Sequence, residues 1–326
     1  MLKIDLHAHS FPLPYFQKLM EYRPGQLELK ELPQGGLFAV STNRAGGPPL
    51  PVWDLDYRLR EMEKDGVSLQ IISNPGINTI NDERSPELCR ITNDAIAEAC
   101  QQAPDRLRGF AHVPLNDMSA AVTEISRAID ELGFKGVIVG SNAGGRYLHT
   151  PEFLPFWEEV NRRRLAVFVH PVEPPGYQDD FPAPLVAYPT DTTVSITKLI
   201  YAGVLERFPD LALIVPHLGG VLPFLARRID TAYDAPAYPP QFKQISRRPS
   251  EYMKNLYLDT AQGWYRPAFD CACQLVGIDH IVYGSDHFMR PDVYRPWIDE
   301  FLEALDIPPV QKEKIYGRTA EELLRL

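Results

Sequence analysis

A (β/α)8 barrel, in which eight parallel strands alternate with helices, is the fold that this sequence predicts. Three observations predict it. Short apolar runs alternate with longer amphipathic stretches along the 326 residues, the pattern of repeated βα units. The runs number eight, which fits a closed barrel better than an open doubly wound sheet. No G-x-G-x-x-G or Walker A segment follows any of them, so a nucleotide-binding sheet has no support.

The elements follow in order. LKIDLH at 2–7 is the first strand, and DYRLREMEKDG at 56–66 the helix after it. VSLQIIS (67–73) precedes ELCRITNDAIAEACQQ (87–102), and LRGFAHV (107–113) precedes AAVTEISRAIDELG (120–133). KGVIVG (135–140) leads to EFLPFWEEVNRRR (152–164), and LAVFVH (165–170) to TVSITKLIYAGVLERF (193–208). LALIVP (211–216) pairs with PFLARRIDTAY (223–233), and NLYLDT (255–260) with RPAFDCACQLVG (266–277). HIVYG (280–284) closes the set, with a helix near 296–305 behind it. Two connections are long. Residues 11–54 carry seven prolines and are expected to form an irregular insertion or lid over the barrel mouth. The proline-rich stretch 171–190 is expected to be a second covering loop. No linker divides the chain, so residues 1–326 form one domain.

Composition excludes some functions. A formal charge of −10 argues against a nucleic-acid binder, which needs a basic stripe to displace phosphate counterions. An anionic substrate would need a local basic pocket set against that charge. No apolar run approaches the roughly 18 residues of a membrane span, and the start, MLKIDLHAHSF, lacks the features of a secretory signal. The four cysteines make no CxxC pair and read as reduced thiols, so the cytoplasm is the expected location.

Five polar residues concentrate the chemistry. His7 and His9 lie in DLHAH at the end of the first strand, where period-two geometry turns both side chains to one face. His170 ends the fifth strand, His217 follows the sixth and Asp286 follows the eighth. All five fall at carboxyl ends of strands, the rim on which barrel active sites are built. Imidazole nitrogens with one carboxylate suit Zn²⁺ or another borderline divalent ion and leave a position open for water or substrate. His112 and His287 read as packing or loop histidines, and His149 and His280 as structural. Asp259, at the end of the seventh strand, is placed to orient a ligand from behind.

DLHAH, WDLDYRLREMEKDGV, FVHP, TDTTVSITKLIYAGVLERFPDLALIVPHLGGVLPF and GSDHF together resemble the amidohydrolase superfamily. Within it they resemble the decarboxylase branch typified by 2-amino-3-carboxymuconate 6-semialdehyde decarboxylase. The resemblance spans nearly the whole chain. It implies that His7, His9, His170 and Asp286 hold the metal and that His217 is the acid–base group beside it. Binuclear members use a carboxylated lysine at the end of the fourth strand; here that end reads VIVGSNAGG, and Lys135 sits at the other end, so one ion is expected, zinc first and manganese second. Arg228 matches an arginine that reaches the substrate across a dimer interface, which implies a homodimer. A second family arginine is replaced by Ala39, with Arg44 five residues on, and a family tryptophan by Val172. These departures leave the metal set intact and widen the expected substrate to any small unsaturated or aromatic carboxylate. The expected activity is non-oxidative decarboxylation; a metal-dependent hydrolase or hydratase on the same scaffold is the alternative.

Overall fold

The computed structural model describes residues 1–33, 35–42, 49–177, 182–287 and 295–326. Strands Ile4–His9, Leu69–Ser73 and Leu107–Gly109 pair in parallel, each with the next. The third strand breaks at Phe110 and resumes as Ala111–His112, which pairs in parallel with Gly136–Gly140. Ala166–His170, Ala212–Val215, Tyr257–Asp259 and Ile281–Val282 continue the parallel order. The last joins the first: Leu6 N–H donates to Tyr283 O at 3.0 Å and His9 N–H to His287 O at 2.8 Å. These bonds close the strands into a barrel whose inward row of side chains is buried.

Two apolar layers follow from strand alternation. Ile4, Leu6, Leu69, Ile71, Phe110, Ile138, Phe168, Ile214 and Val282 fill the barrel interior. Ala320 and Leu324 of the closing helix Thr319–Leu324 pack against the same cluster, sealing it away from the rim that bears the histidines. Outward residues such as Ile72, Val137, Val167 and Leu213 meet the surrounding helices. Those helices carry local start signals: the Asp54 and Asp117 carboxylates accept the N–H groups of Tyr57 and Ala120 at 2.9 and 3.0 Å, satisfying donors that the first helical turn leaves unpaired.

Three expectations need correction. The insertion is largely regular where it is described: helix Leu13–Tyr22 precedes an antiparallel meander of Leu27–Glu31, Leu37–Ser41 and Leu50–Pro51. Three of the prolines that argued against order sit where they cost little. Pro12 caps the helix, Pro14 occupies its first turn and Pro51 lies on an edge strand. Phe11, Tyr15, Phe16, Leu19, Ala39 and Val52 then pack the insertion against Ile77 and Leu88. Second, the helix expected from 193 begins at Ala183 and runs to Tyr201 through Pro189. Proline forfeits one backbone donor there, and the Thr193 hydroxyl donates to Pro189 O at 2.9 Å within the same turn. Third, that helix stops short of 208: Gly203, at φ +75°, separates it from the turn Val204–Arg207.

Candidate metal centre

His7, His9, His170 and Asp286 meet at the carboxyl-end rim. One ligand-type atom from each lies within 4.8 Å of all the others, and all four residues are buried. Local backbone features bring them together. The pairing of the first strand shifts register between Asp5 and Ala8, so that Leu6 packs inside the barrel while the His7 ring also sits 4.8 Å from Phe168 of that interior. Gly284 lets the eighth strand pass close by, since a Cβ there would lie 2.9 Å from His7 Cβ and 3.0 Å from Asp259 Cβ.

Neighbouring groups set the direction of each ring. His7 Nδ1 lies 2.8 Å from Asp259 Oδ2, and His170 Nδ1 2.8 Å from Pro171 O. A proton on each Nδ1 satisfies those acceptors and leaves Nε2 with a lone pair. His7 Nε2 is buried without a hydrogen bond, 3.3 Å from Asp286 Oδ1, and His9 Nε2 lies 3.0 Å from the same oxygen. An orphaned buried nitrogen amid two further imidazoles and a carboxylate is a donor set that fits one divalent cation.

Behind this layer stands a second. Asp5 accepts the His7 and Ser285 N–H groups at 3.2 and 3.0 Å, the Ser285 hydroxyl at 2.6 Å and Gln70 Nε2 at 3.0 Å, tying the first strand to the second and eighth. Arg58 donates to the His9 carbonyl. Asp259 Oδ1 accepts His217 N–H at 2.8 Å, and Gln262 Nε2 donates to Asp286 Oδ2 at 3.0 Å. Sequence reading placed Asp259 as an orienting group, as found, but passed over Asp5, Arg58 and Gln262. Arg58 stands in a segment that carried the family resemblance, yet nothing in its spacing marked it as touching the centre.

Electrostatics follow from burial and neighbours. Desolvation pulls His170 well below the ordinary imidazole range, with His9 and His7 adding to it. It also lowers His9, against the opposing effect of its hydrogen bond to the Asp286 carboxylate. For His7 desolvation is the largest single influence, but the Asp286 and Asp259 carboxylates outweigh it and raise the imidazole. For Asp286 desolvation is likewise outweighed: His7, His217 and His9 hold the carboxyl well below its usual range. The site therefore keeps a carboxylate at neutral pH, and a cation entering it would displace the proton that those carboxylates favour on the His7 imidazole.

His217 stands against this cluster. Its ring centroid is 5.5 Å from that of His7, and Nε2 lies 3.5 Å from Asp286 Oδ2 without forming a hydrogen bond to it. Neither ring nitrogen has a hydrogen-bond partner among the described residues. Arg228 is exposed on helix Leu222–Asp234 and makes no ion pair or side-chain hydrogen bond among the described residues. The neighbouring Arg227 instead pairs with Asp234 at 3.0 Å. Arg44 lies outside the described residues. His112 is wholly buried, as a packing histidine should be: its Nε2 accepts Asn74 N–H at 2.9 Å, and the Asn93 side chain bonds both its N–H and its carbonyl. His280 is structural, with Nδ1 3.0 Å from Leu256 O. The four cysteines form no disulfide.

Comparison with known proteins finds relatives along the whole length of the chain. The chain is 28% identical over its full length to a 2-amino-3-carboxymuconate-6-semialdehyde decarboxylase of Dictyostelium discoideum, covering 92% of that protein. It superposes at TM-score 0.82, with 26% identity and complete coverage of both chains, on a crystal structure of 2,6-dihydroxybenzoate decarboxylase complexed with 2,6-dihydroxybenzoate. A dihydroxybenzoic acid decarboxylase from Polaromonas sp. JS666, with bound manganese and the inhibitor 2-nitroresorcinol, matches at TM-score 0.78 and 25% identity, covering all of this chain and 97% of that one. The amidohydrolase family model matches residues 4–326, and the chain therefore belongs to the amidohydrolase family.

Proposed function

We propose that this protein is a divalent-metal-dependent, non-oxidative decarboxylase of a small aromatic or unsaturated carboxylate. The observation that carries this reading is the convergence of His7, His9, His170 and Asp286 with His217 set against them, on a chain alike along its whole length to decarboxylases. The bound ion would serve as a Lewis acid that grips substrate oxygens and withdraws charge from the reacting carbon. Decarboxylation replaces a carboxylate by a proton on one carbon. The proton comes first, from His217; the electrons of the carbon–carboxylate bond then return to the substrate framework, and CO₂ leaves. Buried rings around the centre exclude water from the protonated carbon. Asp286 Oδ2, 3.5 Å from His217 Nε2, is the carboxylate that faces the ring as it gives up its proton.

Three finer assignments belong to the same reading. Three imidazoles and a carboxylate favour zinc, with manganese as the second candidate because a related structure holds it. Arg228 and Arg44 are assigned to the substrate carboxylate, Arg228 from a partner subunit of a homodimer. Its guanidinium, unpaired among the described residues, lies one turn from Phe224, which is 82% exposed, the surface character of a covered face. The cytoplasm is the assigned location, on the four unpaired thiols; among the described residues no helix is long and apolar enough to cross a membrane. The test is CO₂ release from hydroxybenzoates and muconate derivatives by protein loaded with zinc or manganese. Turnover without CO₂, with an ester, amide or lactone opened instead, would replace this reading by a hydrolase on the same centre.

A further inference from the structure

Among the described residues, six other than glycine have positive φ: Arg164, His217, Leu218, Gln262, Asp286 and Arg325. Arg164 and Arg325 are left-handed helix caps, an ordinary use of that conformation. The other four surround the metal centre. His217, Leu218 and Asp286 adopt it where strand ends deliver the acid–base group and a ligand. Gln262 has no such part in the reading above, yet it sits at φ +54° in the tight turn closed by Gly263 N–H to Thr260 O at 2.9 Å. At the third position of such a turn, positive φ favours glycine or asparagine. A long side chain retained there against the backbone preference calls for a function of that side chain.

The hydrogen bonds supply one. Gln262 Nε2 donates to Asp286 Oδ2 at 3.0 Å, while Asp286 Oδ1 faces His9 Nε2 at 3.0 Å and His7 Nε2 at 3.3 Å. We propose that Gln262 is a positioning residue for Asp286: it holds Oδ2 away from the ion, so that the carboxylate ligates through Oδ1 alone. Glycine cannot make this bond, and asparagine is one methylene too short to reach from the same backbone. The turn is fixed for the purpose. Ala261 N–H donates to Asp259 Oδ1 at 3.0 Å, so the carboxylate behind His7 also anchors the loop that carries Gln262. A Cβ at Gly263 would come within 2.9 Å of Leu218, which locks this turn against the strained turn at His217. Single-oxygen ligation keeps a coordination position open for substrate. It also keeps Oδ2 available to His217 Nε2, 3.5 Å away.

This inference rests on the metal-centre reading, and the experiment separates the two. The full-length chain is loaded with Zn²⁺, its stoichiometry measured, and Zn²⁺ release to a chromogenic chelator followed for wild type, Gln262→Gly and Gln262→Met. The melting temperature of each metal-free form is measured beside it. Gln262→Gly removes the donor and relieves the φ +54° backbone; Gln262→Met removes the donor while keeping length and backbone cost. Both variants should release Zn²⁺ about 10–100-fold faster, the usual effect of losing a group that orients a ligand. The metal-free Gln262→Gly protein should melt no lower than wild type. Opposite signs, a tighter fold with a looser metal, are what a purely structural turn residue could not produce. Release from Gln262→Met at the wild-type rate overturns the proposal. So does faster release from Gln262→Gly accompanied by a lower melting temperature, which would make Gln262 part of the turn only. A wild-type chain that takes up neither zinc nor manganese would refute the metal centre itself, a failure seen before any variant is compared.

Discussion

Asp259→Asn isolates the hydrogen bond that sets the His7 tautomer. Asp259 is fully buried and accepts three bonds: His7 Nδ1–H at 2.8 Å on Oδ2, and the N–H groups of His217 and Ala261 at 2.8 and 3.0 Å on Oδ1. Asparagine has the same shape. Its carbonyl oxygen can keep both backbone bonds, but its NH₂ group then faces His7 Nδ1, and two donors cannot share that contact. The His7 proton must move to Nε2, the nitrogen that faces the other ligands. Losing such an orienting carboxylate costs about 10–100-fold in metal affinity, or about 1.4–2.7 kcal/mol. Asp259→Ala is the contrast, because it strands two backbone donors, that of Ala261 buried and that of His217 partly so, at up to about 1–3 kcal/mol each. Chelator competition gives the affinity, and thermal melting of the metal-free protein gives the stability. Asp259→Asn should lose metal affinity and melt near wild type, whereas Asp259→Ala should lose both. Undiminished metal affinity in Asp259→Asn would show that the carboxylate does not set the tautomer.

Three further outcomes can be measured. His217→Asn should retain one equivalent of metal by elemental analysis and lose about 10²–10⁴ in turnover, the span of general acid–base catalysis; loss of the ion would make His217 a ligand instead. Arg228→Ala and His7→Ala, each nearly inactive alone, should regain part of the activity when their subunits are exchanged, because one site of the heterodimer combines intact ligands with an intact arginine. Confirmed exchange without recovery would confine Arg228 to its own chain or remove it from the site. Burial pushes His112 down to about 3, against 6.5 for the free group, with His9 adding to the shift. Between those values the unfolded chain takes up a proton that the folded chain refuses, so acid favours unfolding there, by up to about 1.4 kcal/mol per pH unit. Denaturant melts of wild type and His112→Gln from pH 7 to 4 should show the variant losing less stability over that range; parallel curves would mean that His112 already titrates normally in the fold.

Periodicity alone was enough for the barrel and the rim. Alternating apolar runs mark which residues enter a parallel sheet, and strand ends then place His7, His9, His170, His217 and Asp286 on one face without knowledge of any contact. Local rules were weaker guides in the insertion, where packing against Ile77 and Leu88 supports a helix and strands that proline content argued against, and around Pro189, which helix Ala183–Tyr201 holds in its interior. What only the tertiary structure decided is the layer behind the ligands. Asp5, Arg58 and Gln262 act on residues 2, 49 and 24 positions away respectively, through hydrogen bonds whose partners close chain folding selects. The sign of φ at Gln262 and Asp286 is likewise invisible in composition, because positive φ in a residue other than glycine is a strain that the surrounding fold imposes. The types of the metal-facing side chains are written in the sequence; their tautomers, and the oxygen that Asp286 turns toward them, are set by neighbours that only the closed barrel brings within 3 Å.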